Sequence, residues 1–280
     1  MPIDYPAILD LKLTDVRASW SDRETMLYAL GLGMGADPLD PKELRFVYER
    51  DLRVVPTFAT ILASAANPQP PGVNRALVLD GERRLTMHRP LPPHGDVIMN
   101  GRVLSVADKG DKGAIITREV VISDAVDGLP IATLLSSQFA RGDGGFGGPA
   151  DTAAPPPMPD RAPDLQLDIG TRPDQALLYR LSGDRNPLHS DPEFAAKARF
   201  DRPILHGLCT FGICCRAILQ TYADYDPAAI KTFGARFSAP TFPGETVSID
   251  FWRDGNAIAF EAHVRARGVT VIKNGAATLC

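Results

Sequence analysis

Apolar and polar residues alternate at every second position in several runs of the chain: Asp96-Val-Ile-Met-Asn-Gly-Arg-Val, Ala114-Ile-Ile-Thr-Arg-Glu-Val-Val-Ile, Thr246-Val-Ser-Ile-Asp-Phe-Trp and Ala257-Ile-Ala-Phe-Glu-Ala-His-Val. That period sets one face of a strand on a core and the other toward water, the habit of antiparallel sheets. Elsewhere the spacing turns helical. It predicts an opening helix over about 22–31 and again over about 173–182, each followed by a polar loop. A second, apolar helix is predicted over about 56–66 and 208–221. Helices followed by several antiparallel strands make each half an α+β unit, with a long apolar helix for the sheet to wrap.

The halves repeat more than their outline. Tyr28-Ala-Leu-Gly returns as Tyr179-Arg-Leu-Ser and Asp40-Pro41 as Asp191-Pro192, both 151 positions later. Thr57-Phe58 returns as Thr210-Phe211 after 153 positions, and Gly95-Asp96 as Gly244-Glu245 after 149. Four matches in one order at a nearly constant offset argue for duplication of a single unit. Between the copies, residues 142–163 run Gly-Asp-Gly-Gly-Phe-Gly-Gly-Pro and later Ala-Pro-Pro-Pro-Met-Pro. Glycine is entropically costly to order and proline cannot pair in a sheet, so this is linker composition. The expected division is an N-terminal unit over 1–141, a linker over 142–163 and a C-terminal unit over 164–280.

Composition narrows the class of function. Of 280 residues, 44% are hydrophobic and 23% charged, which suits a protein with a buried core. The formal net charge is −4 and the Lys and Arg residues are scattered, against the massed basic face that nucleic acid requires. A small anionic ligand needs only a few cations and stays open. No apolar run approaches the roughly 20 residues that cross a bilayer. Met1-Pro2-Ile3-Asp4-Tyr5 has neither the basic start nor the apolar stretch of a secretion signal. Cys209, Cys214, Cys215 and Cys280 show no CxxC or metal spacing, and the closing Ala-Ala-Thr-Leu-Cys is no peroxisomal address. The expectation is a cytoplasmic protein with reduced thiols, no metal, and no nucleic-acid or membrane partner.

Chemistry concentrates in the second half, in Tyr179-Arg-Leu-Ser-Gly-Asp184-Arg-Asn186-Pro-Leu-His189-Ser-Asp-Pro-Glu-Phe. Gly183 and Pro187 break the preceding helix, so Asp184, Asn186 and His189 fall in a short irregular segment that can aim side chains into a cleft. A carboxylate and an imidazole held close together can share one water molecule, with Asn186 orienting the carboxylate without adding charge. The same spacing also suits a capping loop, in which Asp and Asn bond backbone amides. Further on, Pro203-Ile-Leu-His206-Gly207-Leu208 leads straight into the apolar helix. A glycine there lets a ligand approach exposed N–H groups where the helix dipole favours negative charge, as a thioester carbonyl needs when it becomes an enolate. An ordinary helix start accounts for the same glycine, and His206 reads more readily as a packed or solvent-facing histidine than as a catalyst.

Asp-x-Asn-Pro-Leu-His, preceded by Tyr-x-Leu-Ser-Gly and followed by His-Gly-Leu, resembles the signature of hydratase 2, the MaoC-like (R)-specific enoyl-CoA hydratases. The likeness covers nearly the whole chain, two-unit layout included. It implies a double hotdog fold, as in the hydratase domain of peroxisomal multifunctional enzymes, and reversible hydration of trans-2-enoyl-CoA to (R)-3-hydroxyacyl-CoA. It implies no cofactor beyond the thioester substrate, and a homodimer. By that resemblance Asp184 and His189 are the catalytic pair, Asn186 supports them and Gly207 supplies the oxyanion-hole amide. Phe237, in Ala235-Arg-Phe-Ser-Ala-Pro, lines the acyl-CoA site, together with Arg185, Pro187 and Leu188 of the motif. Relatives also use the first half for substrate, at a His-Gly pair and at the Lys of an Asp-Lys-Gly turn. Here these positions read Asp80-Gly81 and Asp108-Lys109-Gly110; the turn is intact and offers Lys109 to a CoA phosphate, whereas Asp80 replaces the histidine.

At the 151-residue offset Asp184 falls on Gly33, Asn186 on Gly35 and His189 on Pro38, none of which can move a proton. One active site per chain is therefore expected, with the first unit retained to hide the edge and face that a single sheet would expose. Prolines in Ala65-Ala-Asn67-Pro68-Gln-Pro70-Pro71-Gly72 should end the first unit's helix early and open a groove for a bulky or medium-to-long acyl chain. Three other readings compete. A hotdog thioesterase would need water aimed at the carbonyl carbon, which Asp-x-Asn-Pro-x-His does not suit. A non-catalytic acyl-thioester-binding subunit would have lost the Asp/His pair. A dehydratase acting on a tailored β-hydroxyacyl unit shares the chemistry.

Overall fold

The computed structural model describes residues 3–74, 77–150 and 157–280. The N-terminal unit runs through β1 (Lys12–Trp20), α1 (Asp22–Gly31), α2 (Pro41–Leu44), α3 (Ala59–Ala63), β2 (Val78–Met87), β3 (Gly95–Asp108), β4 (Ala114–Asp124) and β5 (Pro130–Ala140). The C-terminal unit repeats that order with β6 (Leu165–Gly170), α4 (Gln175–Tyr179), α5 (Pro192–Lys197), α6 (Gly207–Tyr222), β7 (Ile230–Phe237), β8 (Thr246–Asp254), β9 (Ala257–Val264) and β10 (Val269–Leu279).

Local chemistry accounts for these elements. Ser21 and Glu24 close a capping box at the start of α1, the Ser21 amide donating to Glu24 Oε2 at 2.9 Å. Those same bonds hold the Glu24 carboxyl below its usual range. In β9, Ile258, Phe260, Ala262 and Val264 are buried and their neighbours are not, as the alternation predicts. Helix α6 is apolar nearly all round, and every residue from Cys209 to Leu219 is buried.

The ten strands form one antiparallel sheet in the order β1-β3-β4-β5-β2-β7-β10-β9-β8-β6. Outward from the β2–β7 junction the two halves are mirror images, so the expected duplication is written into the topology. The junction register sets Arg84 opposite Gly234, its own counterpart 150 positions on. Tyr28 and Tyr179, the first residues of the repeat recognised in the sequence, meet ring to ring at 5.9 Å. Two hotdog units are thus fused edge to edge about a local two-fold axis.

The copies differ in their wrapped helices. In the first unit the helical stretch begins with a 3-10 turn at Pro56–Phe58, passes through α3 and ends in another at Ser64–Ala66. Asn67 is already extended, as the prolines require. The chain leaves the sheet by crossing Gly101 so closely that a Cβ there would lie 1.7 Å from the Ala66 carbonyl oxygen, so only glycine fits. The 16-residue α6 of the second unit has no such interruption.

Residues 142–163 begin as a docked segment. The Asp108 carboxylate accepts the amides of Gly145 and Gly147, each at 2.8 Å, and Phe146 packs on Tyr5 with ring centroids 5.7 Å apart. Residues 151–156 of the expected linker lie outside the described residues. Beyond them, Trp252 Nε1 donates to the Arg161 carbonyl at 2.8 Å.

The loop matching the catalytic segment, residues 32–44, is a clamp. Glu43 accepts the Gly35 amide at 2.9 Å and Arg216 Nε of α6 at 3.0 Å, while Arg216 Nη1 donates to the Leu32 carbonyl at 3.2 Å. Both side chains are buried. Removing one partner of such a pair leaves the other charge unpaired in the interior. Glu43→Ala should therefore lower unfolding free energy by about 3–5 kcal/mol, read from urea midpoints. The double change Glu43→Leu with Arg216→Met should recover most of that loss.

Candidate active site

Helix α4 ends in a 3-10 turn over Arg180–Ser182, and Gly183 follows with φ of 128°, a conformation that closes the helix to other residues. The chain then makes two turns held by its own side chains. Asp184 Oδ1 accepts the Asn186 amide at 3.1 Å, and Asn186 Oδ1 accepts the Leu188 amide at 3.0 Å. The capping and functional readings of this segment are therefore compatible: capping uses one carboxylate oxygen of Asp184 and fixes the direction of the other. A 3-10 turn over Pro187–His189 carries the imidazole back toward Asp184.

Two buried histidines complete the cluster. His189, 8% exposed, bonds the Ile204 carbonyl through Nδ1 at 2.9 Å. His206, 1% exposed, bonds the Asp184 carbonyl through Nε2 at 3.0 Å. Each carbonyl must receive a proton, which assigns the tautomers and leaves His189 Nε2 and His206 Nδ1 as acceptors. The two rings stack at 3.7 Å, and Tyr179 lies 5.0 Å from the far side of His206. Side-chain ligand atoms of Asp184, His189 and His206 all fall within 4.8 Å of one another. The ring planes are inclined by 27°, and the Asp184 carboxylate and His189 Nε2 are close enough to share one water molecule. His206 thus acts as a strut under Asp184 and His189, the packed role favoured for it in the sequence.

Burial sets the protonation states. Desolvation lowers the His189 pKa, against the pull of the Ile204 carbonyl and of the Asp184 and Asp80 carboxylates. Burial, helped by the neighbouring His189, lowers His206 to about 4. Both rings are neutral at pH 7.

Helix α6 starts at Gly207, beside this cluster. Its first amides have no acceptor within the helix and can receive an oxyanion. Phe237, at the end of β7, covers the glycine so closely that a Cβ would meet its ring at 3.3 Å. The structure therefore gathers Asp184, Asn186, His189, Gly207 and Phe237, with Leu188 half-buried beside them and Arg185 and Pro187 exposed on the same loop. Asp80 and Gly81 also approach, from the other unit. The β2–β7 register pairs Glu82 with Arg236 and, continued by one residue, sets Gly81 opposite Phe237. The Asp80 carboxylate pairs with Arg83 at 2.8 Å. Lys109 stands apart from them, on the β3–β4 turn, two strands across the sheet from β2.

Three features beside the site went unread in the sequence. One is the Ile204 carbonyl, a backbone group that no pattern marks. The others are Arg83 and Arg118, buried on the core face of the first unit. A signal for Arg118 was present: in Ala114-Ile-Ile-Thr-Arg-Glu-Val-Val-Ile it keeps the phase of Ala114, Ile116, Val120 and Ile122, the inward face.

Known proteins resemble this chain over nearly its whole length. The sequence profile described as "MaoC like domain" matches residues 155–275, and that of the "MFE-2 hydratase 2 N-terminal domain" matches residues 19–142. The chain is 43% identical to "Enoyl-CoA hydratase ChsH3" of Mycobacterium tuberculosis over 98% of each sequence. It is 39% identical to "Peroxisomal multifunctional enzyme type 2" of Mus musculus over 94% of this chain but only 37% of that longer enzyme. Among solved structures it resembles the MaoC-like dehydratase from Phytophthora capsici, with TM-score 0.87, 32% identity, and 98% of this chain and 96% of that one covered.

The two depressed imidazoles tie stability to pH. Their folded-state pKa values lie below the unfolded value of about 6.5, so as pH falls the unfolded chain takes up protons first. The stability supplied by neutral burial is complete above about pH 7 and is lost as pH falls through about 6.5 toward the His206 value of about 4. NMR titration should find the His206 ring signals still those of the neutral form at about pH 5, with urea midpoints declining across the same window.

Proposed function

The chain belongs to the MaoC-like hydratase 2 family, and from that premise we propose that it adds water reversibly across the double bond of a trans-2-enoyl-CoA, giving the (R)-3-hydroxyacyl-CoA. The observation that carries the proposal is the convergence of Asp184 and His189 beside the Gly207 start of α6. A carboxylate and a neutral imidazole grip one water. His189 Nε2 takes a proton as the water oxygen bonds C3, and the electron pair of the double bond moves toward the thioester oxygen. That oxygen rests on the Gly207 amide, which stabilises the enolate. The proton then passes from the imidazolium to C2 on the same face, so one water is added in all and both catalytic groups are restored. Asp184 orients the water and stabilises the imidazolium; Asn186 holds the turn. The reverse dehydration uses the same groups, and the scheme needs no cofactor.

We assign Phe237, Leu188, Pro187, Arg185 and the Asp80-Gly81 pair to substrate contacts, Lys109 to a CoA phosphate, and the N-terminal unit to a medium, long or bulky acyl chain. The N-terminal unit itself has no catalytic role in this scheme: it has Gly33, Gly35 and Pro38 where the second has Asp184, Asn186 and His189. Among the described residues no helix is long and apolar enough to cross a membrane. All four cysteines are free, which fits the reducing cytoplasm to which we assign the protein. A homodimer is proposed on the family resemblance alone.

General acid–base help contributes about 10²–10⁴ in rate and an oxyanion donor about 10²–10³. Asp184→Asn and His189→Ala should each cut kcat by at least about 10²-fold with little change in unfolding midpoint, followed at the absorbance of the conjugated thioester. Near-normal turnover in either variant would take that residue out of the mechanism. Across a panel of trans-2-enoyl-CoAs of increasing size, turnover should rise beyond crotonyl-CoA, with no stoichiometric release of free CoA to a thiol reagent. Stoichiometric release would turn the reading to a thioesterase.

A further inference from the structure

Three strands of the first unit set one row of side chains across the core face. Arg118 of β4 pairs with Ser136 of β5, and Ser136 pairs with Arg83 of β2. Arg118 is 2% exposed, Arg83 6% and Ser136 3%. The duplication supplies an internal comparison, because the same ladder positions in the second unit are Ile258, Ala277 and Phe233, all apolar and buried under α6. Two arginines in such a row are not a requirement of the fold.

Their charges are incompletely matched. Asp80 pairs with Arg83 at 2.8 Å, and Arg118 Nη1 donates to Gln138 Oε1 at 2.6 Å. Gln138 in turn donates to Asp80 at 3.1 Å. Arg118 Nε is buried and has no partner among the described residues. One carboxylate thus faces two guanidinium groups, and burial with the charge of Arg83 lowers Arg118 only to about 10, so Arg118 stays charged at neutral pH. An uncompensated buried cation is destabilising unless an anion meets it.

The row is joined to the active site through Asp80, the partner of Arg83. Asp80 is close enough for its charge to act on His189, yet 35% of its side-chain surface is open. Above the row the first unit's helix has ended: Ala66 crosses at Gly101, and Arg118 pairs with Val103 two residues further along β3.

We propose that Arg83 and Arg118 form a carboxylate subsite for the acyl chain, so that the substrate class is a trans-2-enoyl-CoA bearing a carboxylate remote from the thioester. The assignment rests on the hydratase reading and deepens it. The planar guanidinium fork matches a carboxylate, and the arginines are too enclosed for the hydrated phosphates of CoA.

The test compares trans-2-enoyl-CoAs in pairs of equal length, one ending in methyl and the other in carboxylate, together with crotonyl-CoA. The carboxylated member should show kcat/KM at least about tenfold higher at one or more lengths. Arg118→Met and Arg83→Met should each lower that ratio by about tenfold or more, thermal melts verifying folding. Equal handling of both members at every length by the unmodified enzyme overturns the assignment, whatever the variants do. A matching loss on crotonyl-CoA also overturns it, by moving the arginines to the CoA phosphates. Calorimetry with suberoyl-CoA and octanoyl-CoA separates this inference from the reaction. Tighter suberoyl-CoA binding, with no hydration of any trans-2-enoyl-CoA in the panel, sustains the subsite and sinks the hydratase reading; hydration of the panel without that binding preference does the reverse.

Discussion

Helix α6 carries apolar side chains around nearly its whole circumference, so no single sheet can cover it. The sheet of its own unit takes one side. The other is closed by the neighbouring unit, where Cys209 Sγ meets the Gly31 carbonyl and Arg216 is tied to Glu43 and Leu32. Enclosing the helix fixes its first turn, with Gly207 at the surface, next to the Asp184 loop. That placement sets the buried, neutral imidazoles of His189 and His206 beside the start of the helix, where the proposed chemistry needs them.

The second unit's site was legible because it is local. Asp184, Asn186 and His189 lie within six residues, and the glycine and proline that bend them are visible in the same stretch. The duplication was legible for a related reason, since Tyr28 and Tyr179 lie on the axis where the copies touch and serve the same packing role in each. Strand β2 was not. Val-Leu-Asp-Gly-Glu-Arg-Arg-Leu-Thr-Met is dense in charge, and it lies in the middle of a ten-stranded sheet only because both its ladders are supplied by residues far away in sequence. The approach of Asp80 to His189 depends on that placement. Likewise no spacing could show that His206 would brace the Asp184 backbone, because the two are 22 residues apart and the tie is to a main-chain oxygen.

The first unit uses the matching loop differently. Where the second unit has a turn that gathers Asp184 and His189, its counterpart has glycines at φ of 81° and 75° and folds round the Glu43–Arg216 pair. The same backbone path serves as a clamp on α6 in one copy and holds the proposed catalytic groups in the other. The first unit's helix is also shorter than α6, and the sheet beyond its end carries the buried Arg83 and Arg118 where the second unit has Phe233 and Ile258.

Joining the copies in one chain also changed what the local axis permits. In an assembly of two identical units, the residue on the dyad meets itself, and an arginine there would face an arginine. Here Arg84 faces Gly234, where an added Cβ would come within 3.1 Å of the Arg84 side chain. A bulky partner and an empty one can share that point only because the gene encodes each separately. Covalent linkage thus turned a symmetric contact into a complementary one, and every position near the axis became free to specialise on one side alone.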